Sequence, residues 1–149
     1  MENFNLPLMS DNISRDDINA VVDFLQQDPI PRLTNGPKVK EFESRWSEWV
    51  GMEHSIMVNS GTAANELTML ALNYISGTGE IIVPPLTWVS DVNSVLFAGH
   101  TPVFVDINLQ NLSFDIEKLK AAITDKTRAI FLTHVLGLNG ITDELISLC

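Results

Sequence analysis

From residue 55 onward the chain alternates between short apolar runs rich in β-branched residues and longer segments whose apolar side chains recur with helical period. The runs lie at 55–59, 80–84, 102–106 and 127–133, as in Glu80-Ile81-Ile82-Val83-Pro84 and Pro102-Val103-Phe104-Val105-Asp106. Between them the helical pattern occupies 62–75, 88–98 and 115–123, and a further helix begins near Thr142. Strands that are apolar throughout are buried on both faces, and helices are what cover them. The pattern predicts βαβ units in an α/β, three-layer αβα fold with a mostly parallel sheet and right-handed crossovers.

Residues 1–54 have a different texture and are expected to form an N-terminal helical segment. Ser14 suits an N-cap, with Asp16 and Asp17 in the first turn and Ile18, Val21, Val22 and Leu25 along one apolar stripe. Pro29 and Pro31 end that pattern, and 29–37 reads as a loop with Asn35-Gly36-Pro37 as its turn signal. A second helix carries Val39, Phe42, Trp46, Trp49 and Val50 at helical spacing, with the tryptophans expected as packing anchors.

Composition narrows the class. A chain of 149 residues with 45% hydrophobic and 19% charged content is globular. The formal net charge of −10, with its basic residues scattered, argues against nucleic acid or an anionic membrane as partner. Cys149 is the one cysteine and the last residue, so no internal disulfide is possible. Met1-Glu2-Asn3-Phe4-Asn5 lacks a leader pattern, and no apolar run approaches the ~20 residues that span a bilayer. A cytoplasmic chain is expected. It stops inside a helical pattern at Ile141–Cys149, which reads as the front portion of a larger protein rather than a small domain with a fraying last helix.

Ligands in open α/β sheets collect at the carboxyl ends of the strands. Here those ends carry Asn59-Ser60-Gly61-Thr62, Pro84-Pro85-Leu86-Thr87-Trp88, Asp106 and Thr133-His134-Val135-Leu136-Gly137. The first is the most informative. An apolar run gives way to small residues and then at once to a helix, which presents free backbone N–H groups and a positive dipole end to a phosphate. Gly61 permits close approach and Thr62 adds a hydroxyl donor; the same residues also suit an ordinary helix cap. Trp88 is either a platform for a flat ligand or a large residue plugging helix against sheet. His134 reads as a structural hydrogen-bonding residue and Asp106 as a cap or an ion-pair partner. His54 and His100 have no companions at metal spacing, and no metal site is expected. No Gly-x-Ser-x-Gly elbow, Walker loop or Gly-x-Gly-x-x-Gly fingerprint is present, which argues against hydrolases, NTPases and dinucleotide oxidoreductases.

Six stretches, in this order, carry a resemblance: Asn35-Gly36-Pro37-Lys38-Val39-Lys40-Glu41-Phe42-Glu43, Val58-Asn59-Ser60-Gly61-Thr62-Ala63-Ala64, Gly79-Glu80-Ile81-Ile82-Val83-Pro84-Pro85-Leu86-Thr87-Trp88, Gly99-His100-Thr101-Pro102-Val103-Phe104-Val105-Asp106-Ile107, Ala122-Ile123-Thr124-Asp125-Lys126-Thr127-Arg128-Ala129-Ile130 and His134-Val135-Leu136-Gly137. Together they resemble the pyridoxal-phosphate-dependent nucleotide-sugar aminotransferases of the DegT–StrS group, over nearly the whole chain. The resemblance implies the large domain of fold-type I pyridoxal-phosphate enzymes, with 55–149 as its first part, ending before the catalytic region. It implies a longer chain, a homodimer, pyridoxal 5'-phosphate as cofactor, and a nucleotide-linked keto-sugar and an amino donor as substrates.

Residue by residue, Gly61, Thr62 and Ala63 match the loop that holds the cofactor phosphate, and Trp88 matches the aromatic that stacks on the pyridine ring. The aspartate that bonds the pyridine nitrogen and the lysine that carries the cofactor come later in family members and have no counterpart here. Lys38, Lys40, Lys118, Lys120 and Lys126 read as helix or turn surface, so no catalytic residue is assigned and the 149 residues alone are expected to be inactive. A second branch of the family has histidine in place of the lysine and acts as a sugar 3-dehydratase. Thr87-Trp88-Val89-Ser90-Asp91 and Thr133–Gly140 resemble that branch.

Overall fold

The computed structural model describes residues 12–149; the Met1–Asn5 stretch and the rest of the first eleven residues of the expected N-terminal segment lie outside the described residues. Two compact units are present, one ending at Met57 and one running Val58–Cys149.

The first unit holds helices α1 (Arg15–Leu25) and α2 (Pro37–Val50). Ser14 caps α1 as expected: its hydroxyl accepts the Asp17 N–H at 3.2 Å, and the Asp17 carboxylate accepts the Ser14 N–H at 2.7 Å. Pro37 opens α2 without losing a needed donor, and Gly51 closes it at φ 73°, where a Cβ would be strained. The tryptophans correct the expectation of packing anchors. Trp46 and Trp49 are 46% and 76% exposed and meet at a tilt of 38° with 4.9 Å between ring centroids, with Phe42 stacked on Trp46 at 6.1 Å. They form an aromatic ladder along one helix and are not buried in a core.

The strand expected at 55–59 is not formed among the described residues. Ile56 is 80% exposed, and the Met57 N–H is taken by the Glu43 carboxylate at 2.8 Å. An apolar run becomes a strand only where a neighbour completes its ladder. No described strand pairs with this one.

The second unit is three-layered. Helix α3 (Gly61–Ser76) precedes strand β1 (Glu80–Val83), followed by α4 (Val89–Phe97), β2 (Thr101–Phe104), α5 (Ile116–Ala122), β3 (Thr127–Ile130), one 3-10 turn (Val135–Gly137) and α6 (Asp143–Leu148). All three strands are parallel, in the order β2-β1-β3. They are shorter than the apolar runs, although Val105 N–H to Val83 O and Phe131 N–H to Ile82 O carry the pairing one residue further. Pro102 is tolerated because β2 is the edge, with no described neighbour on its far side.

Central strand β1 alternates between two cores. Ile81 and Val83 face Met69 of α3 and Val95 and Ala98 of α4, while Ile82 faces Val105, Phe114, Leu119 of α5 and Leu145 of α6. Helix α4 thus covers one face and α5 the other. The connection through α4 moves from β1 to one side, and the connection through α5 moves back across β1 to the other. Two crossovers of one hand that travel in opposite directions must lie on opposite faces. The observed layering has that form. His100, buried between α3 and the start of β1, accepts the Gly79 N–H through Nδ1 at 3.2 Å and faces the Met69 carbonyl through Nε2 at 3.2 Å. Its role is structural, away from the strand carboxyl ends.

Candidate functional site

Reversal of direction across the sheet creates a crevice. The chain leaves β1 toward α4 on one face, while it leaves the adjacent β3 toward α6 on the other. Between the carboxyl ends of β1 and β3 the backbone therefore parts, which is the switch point where such sheets bind ligands.

Three segments border it. The first is the start of α3. Ser60 is the N-cap, and its hydroxyl accepts the Ala63 N–H at 3.1 Å while its carbonyl accepts the Ala64 N–H. The N–H groups of Gly61 and Thr62 and the Thr62 hydroxyl make no hydrogen bond among the described residues. A Cβ on Gly61 would meet nothing within 4 Å. Gly61 is therefore not demanded by packing or by its own φ, and the space a side chain would take there is open. Free donors, an unobstructed approach and the positive end of a 16-residue helix suit a phosphate group. Ala63 belongs to the same turn, with its N–H engaged by the cap.

The second segment leads from β1 to α4. Trp88 is the N-cap residue of α4, contributes no side-chain cap and is 73% exposed. An indole so exposed does not plug helix against sheet, which removes that alternative. The third segment follows β3. His134 Nδ1 accepts the Gly140 N–H at 3.1 Å and closes the loop around the 3-10 turn, the structural role expected of it. Leu136 in that turn has φ 54° and is 82% exposed.

A buried carboxylate joins the three segments. Asp91, in the first turn of α4 and 8% exposed, accepts Asn65 Nδ2 of α3 at 2.8 Å through one oxygen. Its other oxygen accepts the Thr87 hydroxyl at 2.5 Å and the Thr133 hydroxyl at 3.0 Å. Asn65 lies one turn into α3 and Asp91 one turn into α4, so the two helix N-termini stand side by side, each within ~5.4 Å along its axis of that bond. Sequence reasoning did not single out Asn65 or Asp91. The available signal was polarity at positions where helical period demands burial: Ser90, Asp91 and Ser94 are all buried on α4.

Asp106 lies beyond β2 and apart from this cluster. Its carboxylate accepts from Lys118 Nζ at 2.6 Å and from the Ile107 N–H at 2.9 Å. The Lys118 hydrogen bond, then the Ile107 N–H, hold it below the ordinary carboxylate range, and the same pairing raises Lys118. Lys38 and Lys120 are likewise committed to Glu41 and Glu117 on exposed helix faces. An apolar cavity of about 640 Å³ opens beside β3 between α3 and α6, lined by Met69, Leu72, Phe131, Leu145 and Ile146 among others. Its wall is mostly apolar, with Asn65, Thr68 and His134 as polar members. Among the described residues no group of three or more His, Cys, Asp or Glu side chains could hold a metal ion. Among them, too, no helix is long and apolar enough to cross a membrane.

A helix-flanked parallel sheet with an anion-ready helix start at its switch point is the large-domain architecture of fold-type I pyridoxal-phosphate enzymes. Within that class, the chain belongs to the DegT/DnrJ/EryC1/StrS aminotransferase family, whose sequence profile matches residues 11–149. The family is pyridoxal-phosphate dependent. Among its relatives, the UDP-4-amino-4-deoxy-L-arabinose–oxoglutarate aminotransferase of Shewanella sediminis is 38% identical over 137 residues, 92% of this chain and 34% of that protein. A Streptococcus pneumoniae protein assigned as a sugar aminotransferase, Spr1654, superposes in its PLP form with a TM-score of 0.82 at 34% identity, over 97% of this chain and 36% of that one. It is also known in a PMP form. The GDP-4-keto-6-deoxy-D-mannose-3-dehydratase of E. coli, with bound hydrated PLP, superposes with a TM-score of 0.75 at 32% identity, over 86% of this chain and 33% of that one. The chain thus spans about a third of the length of the relatives it matches.

Proposed function

We propose that this chain is the N-terminal portion of a cytoplasmic, homodimeric aminotransferase that moves an amino group onto a nucleotide-linked keto-sugar. The single observation that carries it is the start of α3: two backbone donors and a hydroxyl without partners among the described residues, exposed, beside the α4 start that bears Trp88. Gly61 and Thr62 hold the cofactor phosphate, with Ala63 completing the turn. Trp88 gives a flat, exposed face against which an aromatic ring stacks and water is excluded. Pyridoxal phosphate, when bound, supplies an electron sink for the carbon that bears the amino group. These residues bind and orient; within the second unit Lys118 and Lys120 lie on α5 and Lys126 precedes the start of β3, so none of these three is placed at the strand carboxyl ends to move a proton there. Residues 1–149 alone are therefore inactive, and the proton-transferring group lies in other parts of the protein. Exposed apolar stripes on α1 and the aromatic ladder on α2 support self-association.

Similarity to the E. coli dehydratase supports a second reading, removal of a sugar 3-hydroxyl on the same scaffold. One experiment separates the two. The full-length protein carrying this chain is incubated with pyridoxal phosphate, a nucleotide-linked 4-keto-sugar and glutamate, and the sugar product is weighed by mass spectrometry. Exchange of the keto oxygen for an amino group supports the aminotransferase. Replacement of the 3-hydroxyl by hydrogen, a sugar lighter by one oxygen, with glutamate oxidised to 2-oxoglutarate and its nitrogen released as ammonia, supports the dehydratase. An unaltered sugar with no cofactor bound refutes both.

A further inference from the structure

We propose that Asp91 is a positioning residue of the cofactor site, a buried anionic clamp that sets the Trp88 platform and the β3 exit in register with the phosphate-binding start of α3. The proposal rests on the site reading above and adds what holds that site together. Nothing in the chemistry of phosphate or ring binding calls for a carboxylate here, yet one is more than nine-tenths buried where the sheet divides. It makes no ion pair with any described cation. All its compensation comes from neutral donors: Asn65 on one oxygen, with the Ser90 hydroxyl more distant at 3.4 Å, and Thr87 and Thr133 on the other. A buried carboxylate left without such partners is strongly unfavourable, so each donor is held firmly.

The geometry says what is held. Thr87 immediately precedes Trp88, so fixing its hydroxyl fixes the backbone from which the indole projects. Thr133 immediately precedes His134, whose Nδ1 in turn closes the loop to Gly140. Asn65 ties both to α3, one turn from Gly61 and Thr62. Both threonine hydroxyls donate to the same Asp91 oxygen, so β1 and β3, which diverge beyond their ladders, remain bridged at the crevice. A carboxylate accepts and never donates, which makes the direction of every bond to it determinate. The α4 N-terminus adds a favourable field for its charge.

This directionality gives the test. In Asp91→Asn the charge is lost and the new amide must present N–H either to Asn65, which must flip to offer its oxygen, or to the threonine hydroxyls, which must then reverse. Asn65→Asp alone sets two carboxylates together. The exchange Asn65→Asp with Asp91→Asn restores every donor to an acceptor: at position 91 the introduced amide turns its oxygen to the hydroxyls and its N–H to the carboxylate introduced at position 65. The variants are made in the full-length protein, and pyridoxal-phosphate affinity is read by absorbance titration. The protein is also labelled with 5-fluorotryptophan, and the Trp88 resonance, assigned by its loss in Trp88→Phe, is followed without cofactor.

Each single variant is expected to weaken cofactor binding by about tenfold or more, the range of a hydrogen bond to a charged group, and to shift or broaden the Trp88 resonance. The double exchange is expected to recover most of both. A wild-type dissociation constant with an unmoved Trp88 resonance in Asp91→Asn overturns the proposal, as does a double variant whose losses are the sum of the singles. If the unmodified protein binds no pyridoxal phosphate, the site reading fails; the fluorine resonance then still decides whether Asp91 positions Trp88.

Discussion

Gly61→Ala separates folding from binding, because the structure predicts opposite signs for the two. Gly61 opens α3 with an ordinary negative φ, and a Cβ built there meets nothing within 4 Å. Alanine loses less conformational entropy than glycine on folding and has the higher helix propensity, so the substitution stabilises by about 0.4–1 kcal/mol where the backbone is compatible. On the proposed reading the same methyl would crowd a phosphate held by the Gly61 and Thr62 donors. If a phosphate sits there, it must shift or the helix start must yield, at a cost of about 1–3 kcal/mol by analogy with overpacked sites. That is a roughly 5- to 150-fold weaker affinity for pyridoxal phosphate. The assay pairs a thermal melt of the cofactor-free protein with an absorbance titration of the cofactor. An unchanged or raised melting midpoint together with weakened binding is the expected result. Unchanged binding would refute the phosphate cradle, and a large fall in the apo midpoint would show that Gly61 serves the fold.

Thr62→Val removes the free hydroxyl at nearly constant volume; affinity for pyridoxal phosphate should fall by about one to two orders of magnitude, for ~1.5–3 kcal/mol lost with a charged acceptor, with the apo melting midpoint unmoved. Trp88→Ala should weaken cofactor binding and shift the absorbance of bound cofactor, and an unshifted spectrum would refute ring stacking at that residue. Leu119→Ala, at a fully buried position of α5, should destabilise by about 2–5 kcal/mol, read as a lowered denaturation midpoint. Lys118→Met should return Asp106 toward the ordinary carboxylate range, followed by side-chain NMR titration. Because folding lowers Asp106, its contribution to stability is present above the ordinary carboxylate value and is lost as pH falls through the lowered one. For the raised Lys118 the contribution is present below the ordinary lysine value and is lost as pH rises through the raised one. Both groups are exposed, so salt should weaken the pair.

Periodicity made the second unit legible, because its helices and strands are each specified by local burial. Ile81, Ile82 and Val83 announce a strand covered on both faces, and in the first unit Ser14 with Asp17 announces a helix start. What stayed illegible depends on neighbours distant in sequence. Ile56-Met57-Val58 has the composition of a strand, but no described edge pairs with it. Trp46 and Trp49 have helical spacing suited to a core, but spacing does not say whether a core lies opposite. Gly61 and Thr62 could be read as anion donors because a strand-like run, small residues and a helix follow within a few positions. Asn65, Thr87, Asp91 and Thr133 could not be assembled into one cluster, since only the β2-β1-β3 order brings β1 and β3 together and aligns their exits.

Divergence of β1 and β3 accounts for the clamp, and the helix start of α3 accounts for the open donors. Beyond Val83 and Ile130 the strands leave for opposite faces, so their polar groups lose the ladder that satisfied them. Groups that point inward must find partners within the protein or carry the cost of burial. Asp91 meets that need for the Thr87 and Thr133 hydroxyls and for the Asn65 amide. Groups that point outward, the N–H donors of Gly61 and Thr62, stay free without penalty because water reaches them. On the proposed reading, a ligand phosphate replaces that water with no rearrangement of the helix start. Removing the inward partner should disorder the platform beside the outward donors, whereas removing an outward donor should leave the clamp intact. Thr62→Val and Asp91→Asn must therefore differ in the cofactor-free state, with the Trp88 fluorine resonance unmoved in the first and moved in the second. Equal behaviour of the two variants would mean that the donors and the clamp are one structural unit, against the division argued from the topology.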